Sequence, residues 1–85
     1  MEKPFHVNIL TPEKNIFEGE IVSLIVPAAL GYLGILADHA PLAASLQAGK
    51  IIFKGEAGEP TVLYSKDRGF LEVAENKVSV LLDSA

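Results

Sequence analysis

Cysteine and tryptophan are absent from the 85 residues, and positive charge is scarce. Without cysteine, the chain has no disulfide, no thiolate nucleophile and no cysteine-based zinc site. Seven Lys and Arg against eleven Asp and Glu give a net charge of −4, which argues against nucleic acid or acidic lipid as a partner. The length suits one domain, residues 1–85, and a hydrophobic fraction of 49% is enough for a folded core.

No apolar run is long enough for a membrane-spanning helix. The longest uncharged stretch lies between Glu20 and Asp38 and holds 17 residues, whereas a bilayer-spanning helix needs roughly 18 to 20 apolar residues. Pro27, Gly31 and Gly34 would also interrupt a helix there. The N-terminal segment lacks the apolar core of an export signal. We therefore expect no direct insertion into a membrane.

The apolar residues recur with the period of two that is typical of β-strands. Phe5, Val7 and Ile9 alternate with polar residues, and a similar alternation begins at Val78. No ten-residue window combines helical spacing with helix caps. Further strand-forming runs are predicted at residues 21–26, 51–53, 61–64, 70–73 and 78–82.

Turn-forming residues separate these runs. Residues 55–60 are typical of a hairpin loop, and Glu75 with Asn76 predicts a tight turn, because Asn tolerates a positive φ. Gly49 and Lys50 fit a turn that enters a strand, since no phosphate-loop motif surrounds them. Strands at intervals of 8 to 12 residues predict an all-β fold, either a β-sandwich or a small barrel.

Residues for catalysis or metal binding are sparse. Asp38 and His39 are adjacent, but neighbours on a strand point to opposite faces and no serine lies in a nucleophile context. His6 and His39 lie too far apart for a known ligand spacing, and the carboxylates are scattered. We expect no catalytic residue, no cofactor and no metal.

The most informative segment is the weakly charged stretch from residue 26 to 42. Gly31 and Gly34 predict a sharp turn or tight hairpin, with Leu33 and Ile35 in the core. Tyr32 and Leu30 would then form an exposed apolar tip, and such a tip suits contact with a partner. Pro41 forces Ala40 to be extended, so His39, Ala40, Pro41 and Leu42 are predicted to form an edge or corner that could also serve docking.

This segment resembles the epsilon subunit of the F-type ATP synthase. The resemblance rests on the pattern Gly31-x-x-Gly34-Ile35-Leu36-x-x-His39-Ala40-Pro41-Leu42, followed by Leu46 and Gly49. It extends to the opening segment 5–12, to residues 69–73 and to the end of the chain, and so covers effectively all 85 residues. The glycine, histidine and proline signature is much more specific than a two-glycine loop.

The resemblance implies a flattened β-sandwich of about ten short, mostly antiparallel strands on the rotor of the enzyme. Such a domain catalyses nothing; it docks the gamma subunit onto the c-ring, so that proton-driven rotation is coupled to ATP synthesis. It would lie peripherally on the cytoplasmic face of the energy-transducing membrane, within a hetero-oligomeric complex. The resemblance assigns the c-ring contact to Leu30, Gly31, Tyr32, Leu33 and Gly34. It assigns the gamma contact to His39, Ala40, Pro41 and Leu42.

The chain departs from the family pattern in two respects. Family members often have acidic or polar residues where this chain has Leu30 and Tyr32, which leads us to expect an apolar ring contact. The helical hairpin that usually follows, with its inhibitory and ATP-sensing roles, is expected to be absent, as in a naturally short form or a chain cut at the domain boundary. The alternative function is a free-standing β-sandwich that binds a peptide or carbohydrate.

Overall fold

A computed structural model describes residues 3–83, which form nine β-strands. The all-β prediction is confirmed, with nine strands rather than about ten. Among the described residues, no helix is long and apolar enough to cross a bilayer. The strands are β1 (Phe5–Leu10), β2 (Asn15–Ile21), β3 (Ser23–Ala28), β4 (Gly31–Ile35), β5 (Leu42–Leu46), β6 (Gly49–Lys54), β7 (Pro60–Ser65), β8 (Gly69–Ala74) and β9 (Lys77–Leu82).

The strands form one curled sheet that folds over into two layers. Its order is β2-β1-β9-β8-β5-β3-β6-β7, and β4 pairs with β3. β1 and β9 run parallel, and the other pairs of described strands are antiparallel. β5 and β3 pair only through Leu46 and Ala28, and the sheet turns at this corner. We call β2-β1-β9-β8-β5 the first layer and β4-β3-β6-β7 the second layer.

The core lies between the inward faces of the two layers. Alternate residues of β1, β8 and β9 are buried, as period-two strands require, whereas the last three residues of β3 are all buried. Phe17 of β2 and Phe53 of β6 join the layers, with ring centroids 4.6 Å apart. The fully buried aliphatic residues are Val7, Ile9, Ile21, Leu24, Val26, Ile35, Ile51, Leu71, Val78 and Val80.

Two of the local turn predictions are confirmed. Glu75 and Asn76 have φ values of 52° and 60° and join β8 to β9; two positive φ values define the type I′ turn that suits the twist of a hairpin. Residues 55–59 join β6 to β7, and Gly58 donates a hydrogen bond to the carbonyl of Gly55. The turn expected at Gly49 and Lys50 lies just before them, because both residues already belong to strand β6.

Two sequence predictions are wrong in detail. The apolar run 21–26 is divided between two strands at Val22, whose N–H donates to the carbonyl of Lys54 on β6 over 2.7 Å. The tight hairpin predicted around Gly31 and Gly34 is formed by β3 and β4, but both glycines lie within strand β4 rather than in its turn. The turn itself falls at Ala29 and Leu30.

Candidate docking sites

The turn between β3 and β4 forms an exposed apolar tip. Leu30 is fully exposed, at 104% of its reference area, while the N–H of Ala29 donates to the carbonyl of Ser45 over 3.0 Å and holds the tip against β5. Gly31 has a φ of 132°, a region that side chains with a Cβ rarely adopt. The apolar tip expected at Leu30 and Tyr32 is therefore present, and Gly31 allows the backbone to form it.

A groove of about 500 Å³ lies beside this tip. It is bounded on one side by the tip and on the other by the first layer's edge strand β5. No lining residue carries a charge, so the groove suits an apolar side chain better than an ion. The lining residues are Ala28, Ala29, Leu30, Gly31, Tyr32, Leu33, Ala43, Ala44 and Ser45.

Tyr32 lies across the outward face of the second layer. It starts on β4 opposite Pro27 of β3, and its hydroxyl accepts a hydrogen bond of 3.2 Å from the N–H of Lys50 on β6. Because β3 lies between β4 and β6, the ring crosses over Pro27, which is fully buried. The ring itself remains 59% exposed. Tyr32 therefore stabilises three strands while it presents an aromatic surface.

Leu33 and Gly34 face opposite sides of β4. Leu33 pairs with Val26 and is half-buried against the core, beside the fully buried Ile35. Gly34 pairs with Ile25 on the outward face, has no positive φ, and has no atom within 4 Å of a Cβ added to it. Of the predicted five-residue site, Leu30 to Leu33 line the groove, and Tyr32 also lies on the outward face, which it shares with Gly34.

The connection from β4 to β5 forms a second, separate corner. Asp38 has a φ of 63° and accepts hydrogen bonds from the Asn76 amide, at 2.8 Å, and from the Lys3 ammonium, at 3.1 Å. The Asp38 N–H in turn donates to the Asn76 side-chain oxygen. These bonds, that from Asn76 first, lower the pKa of Asp38 below 3.8 and hold the connection against the β8–β9 turn.

The predicted gamma-side residues lie at this corner. Ala40 and Pro41 are exposed, the His39 Nδ1 lies 2.8 Å from the carbonyl oxygen of Ala40, and Leu42 begins β5 opposite Val73. β4 runs from the tip towards this corner and β5 returns to the tip. The two predicted contact segments therefore lie at opposite ends of these strands.

Sequence reasoning missed two sets of surface residues. Ala43, Ala44 and Ser45 line the groove, but a small-residue stretch gives no signal of this kind. The outward face of the second layer exposes Ile25 and Val62. The available signal was that apolar residues occupy outward positions in the run 21–26 and in β7, where alternation would place polar ones.

Polar groups elsewhere form pairs without a recognised catalytic arrangement. The two ring nitrogens of His6 lie 3.1 Å from a Glu18 oxygen and 3.3 Å from a Glu20 oxygen. Within residues 3–83, no group of three or more His, Asp or Glu residues is arranged to hold a metal ion. The side chains of Asp38 and His39 have different partners.

The described strands therefore form a two-layer, all-β domain with an exposed apolar tip and an uncharged groove beside it. The chain belongs to the family described as "ATP synthase, Delta/Epsilon chain, beta-sandwich domain", whose model matches residues 4–85. The resemblance noted in the sequence is confirmed.

Proteins similar in sequence to this chain are named ATP synthase epsilon chains. The chain is 41% identical over 85 residues to the ATP synthase epsilon chain of Dichelobacter nodosus, covering 100% of this chain and 59% of that one. It is 44% identical over 81 residues to the epsilon chain of Chromohalobacter salexigens, covering 95% and 57%. It thus spans less than two thirds of these relatives.

Solved structures support the fold. A chain of the Euglena gracilis mitochondrial ATP synthase, in a structure of OSCP, F1 and c-ring, matches with a TM-score of 0.89 and 17% identity, over 95% of this chain and 51% of that one. A chain from the Tetrahymena thermophila mitochondrial ATP synthase central stalk and c-ring matches with a TM-score of 0.76 and 12% identity, over 95% and 64%. At these identities the likeness concerns the fold.

Proposed function

We propose that this chain is a non-catalytic central-stalk subunit of an F-type ATP synthase. It docks the gamma subunit onto the c-ring and so couples proton-driven rotation to ATP synthesis. Its place is peripheral, on the cytoplasmic face of the energy-transducing membrane. Family membership over residues 4–85 and epsilon-chain relatives at 41% to 44% identity support this role.

The exposed tip beside the uncharged groove is the observation that carries the proposal. A fully exposed leucine on a rigid turn gains little within the domain, but becomes favourable when a partner covers it. We assign Leu30 to Gly34 to the c-ring contact and His39 to Leu42 to the gamma contact. Their positions at opposite ends of β4 and β5 suit a subunit that connects two partners.

The test is affinity purification of the tagged chain from its host membranes. We expect gamma and c-ring subunits to be recovered with it. Recovery of neither would overturn the rotor role, and recovery of a soluble peptide-bearing or glycosylated partner instead would favour the free-standing binding module.

A charge placed at the tip tests the c-ring assignment. Leu30→Asp adds a carboxylate at a fully exposed position, so we expect folding stability to change by less than about 0.5 kcal/mol. Recovery of the c-ring should fall, because a partner that covers the tip would have to desolvate the carboxylate. Ala57→Asp, the same change in the exposed β6–β7 loop, is the matched control and should leave recovery unchanged.

A further inference from the structure

The two-residue connection between β5 and β6 lies directly beside the tip. Only Gln47 and Ala48 separate Leu46, the last residue of β5, from Gly49, the first residue of β6. Because Leu46 pairs with Ala28 at the end of β3, the connection lies where the first layer turns into the second. Neither of its residues belongs to the segments assigned above to the c-ring or to gamma.

Gln47 donates two hydrogen bonds to the end of β3. Its backbone N–H donates to the carbonyl of Pro27 over 2.8 Å, and its side-chain Nε2 donates to the carbonyl of Ala28 over 3.1 Å. Although Gln47 is exposed, its amide therefore has a defined partner. The two carbonyls are consecutive and the tip follows them at once, so these bonds fix the direction in which the chain leaves β3.

The pairing of β3 with β5 is too short to hold the tip alone. It consists of a single residue pair, and β3 pairs with β6 only from Ser23 to Ile25, away from the tip. β3 pairs with β4 through five residues, but β4 belongs to the same hairpin as the tip. Hydrogen bonds from outside the hairpin therefore determine where the tip lies relative to β5. The two bonds from Gln47 and the bond from Ala29 to Ser45 are of this kind.

The position of the tip sets the width of the groove. Ala28 and Ala29 line one wall, and Ala43 to Ser45 line the other, so a shift of the tip relative to β5 changes the distance between the walls. A partner that binds a movable tip loses part of its binding free energy in ordering it, whereas a fixed tip avoids this cost. Gln47 can therefore affect binding at the tip through the backbone that it holds.

We propose that Gln47 is a positioning residue, whose side-chain amide fixes the end of β3 so that the tip and its groove are preformed for the c-ring. This inference rests on the proposed function, because it takes the c-ring as the partner of the tip. It goes beyond that function in giving a role to a residue outside both contact segments. The role requires a hydrogen-bond donor at position 47 and no contact between this side chain and the partner.

The experiment purifies tagged variants of the chain from host membranes and measures the ratio of c-ring to gamma recovered. Gln47→Met keeps the length of the side chain but removes the donor, and Gln47→Lys supplies a donor again. We expect Gln47→Met to lower the ratio by about threefold to tenfold, as for the loss of one hydrogen bond, and Gln47→Lys to restore it. Ala48→Met places the same side chain at the neighbouring exposed position; it is the matched control and should leave the ratio unchanged.

Hydrogen exchange in the free chain tests the bond from Gln47 directly. In Gln47→Met, the N–H of Ala29 should exchange faster by about threefold to tenfold, while the amides of β1 and β9 keep their protection, because the opening is local to the tip. Unchanged protection of β1 and β9 also shows that the variant is folded. Equal exchange at Ala29 in Gln47→Met and in the parent chain would show that the tip is fixed without Gln47, and would overturn the inference.

The outcomes separate the two proposals. If the parent chain recovers neither gamma nor the c-ring, the rotor role fails, and the positioning role fails with it. If the parent chain recovers both and Gln47→Met gives the same ratio, the positioning role is wrong while the rotor role stands. A loss that Gln47→Lys does not restore, or that Ala48→Met shares, would identify the connection itself as a contact surface and would also overturn the inference.

Discussion

At Tyr32 the ring and the hydroxyl have different partners. The hydroxyl accepts the Lys50 N–H over 3.2 Å, and the ring passes above Pro27. We expect Tyr32→Phe to lower the free energy of unfolding by about 0.5 to 1 kcal/mol, because the amide loses its acceptor while the ring still covers the proline. Tyr32→Ala should cost more. Urea denaturation of both variants measures this, and equal losses would show that the hydroxyl carries the whole effect.

Two glycines of the chain should respond in opposite ways to alanine. In Gly69→Ala the new Cβ would lie 2.5 Å from the Leu81 carbonyl oxygen and 2.9 Å from Leu82 Cδ2, so β8 and β9 must separate. We expect a loss of about 1 to 3 kcal/mol in stability. Gly34→Ala meets open space and should be neutral or stabilising by up to about 1 kcal/mol. Chemical denaturation of the two variants measures both changes in stability, and similar losses at both sites would contradict this account.

The β4–β5 connection depends on a carboxylate bonded to the β8–β9 turn. The pKa of Asp38 is lowered by the Asn76 amide and by the Lys3 ammonium. A lowered pKa in the folded state means that the stabilisation is fully present above pH 3.8 and is lost as the pH falls through the lower folded value. We therefore expect the corner with His39 to Leu42 to loosen in acid.

Asn76→Gly tests this dependence, since glycine keeps the positive φ of 60° but removes the amide. The variant should show a shallower loss of stability than the parent chain between about pH 4 and about pH 2. Asp38→Asn should flatten the same region. Thermal unfolding across that range measures the slopes, and a slope unchanged in both variants would rule out the Asp38 contact as its source.

The strands that the sequence predicts best depend on local signals. The β8–β9 hairpin follows from alternating residues and from an asparagine in the turn, and both act over a few residues. The break at Val22 depends on a hydrogen bond to Lys54, 32 positions away, which no local pattern contains. β5 contains Ala43, Ala44 and Ser45, which are weak strand formers; pairing with β8 provides the order.

The candidate site was likewise predictable only where a local signal marks it. Leu30 and Tyr32 were predictable as an exposed tip, because apolar residues beside glycines at a turn have little to pack against. The groove was not, since it exists only where β5 returns beside the tip. Gly34 was grouped with that tip by the family resemblance, whereas the register with Ile25 places it on the outward face.

Across the whole molecule, the proposed rotor role requires that the two layers resist sliding over each other. Within residues 3–83, the strands of the two layers pair at the Ala28 and Leu46 corner alone, so side-chain packing between the layers must supply most of the remaining resistance. Phe17 and Phe53, with ring centroids 4.6 Å apart, are the aromatic pair that connects them. Close-packed cores yield only when many contacts break together.

A double-mutant cycle with Phe17→Leu, Phe53→Leu and the double variant measures this connection. Each single change should lower the free energy of unfolding, and the double variant should lose less than the sum, with a coupling of about 0.5 to 1.5 kcal/mol. Additive losses would mean that the rings pack independently. In that case the corner between β5 and β3 would have to hold the layers together, and variants at Leu46 rather than at the phenylalanines would be the ones to impair coupling in the assembled enzyme.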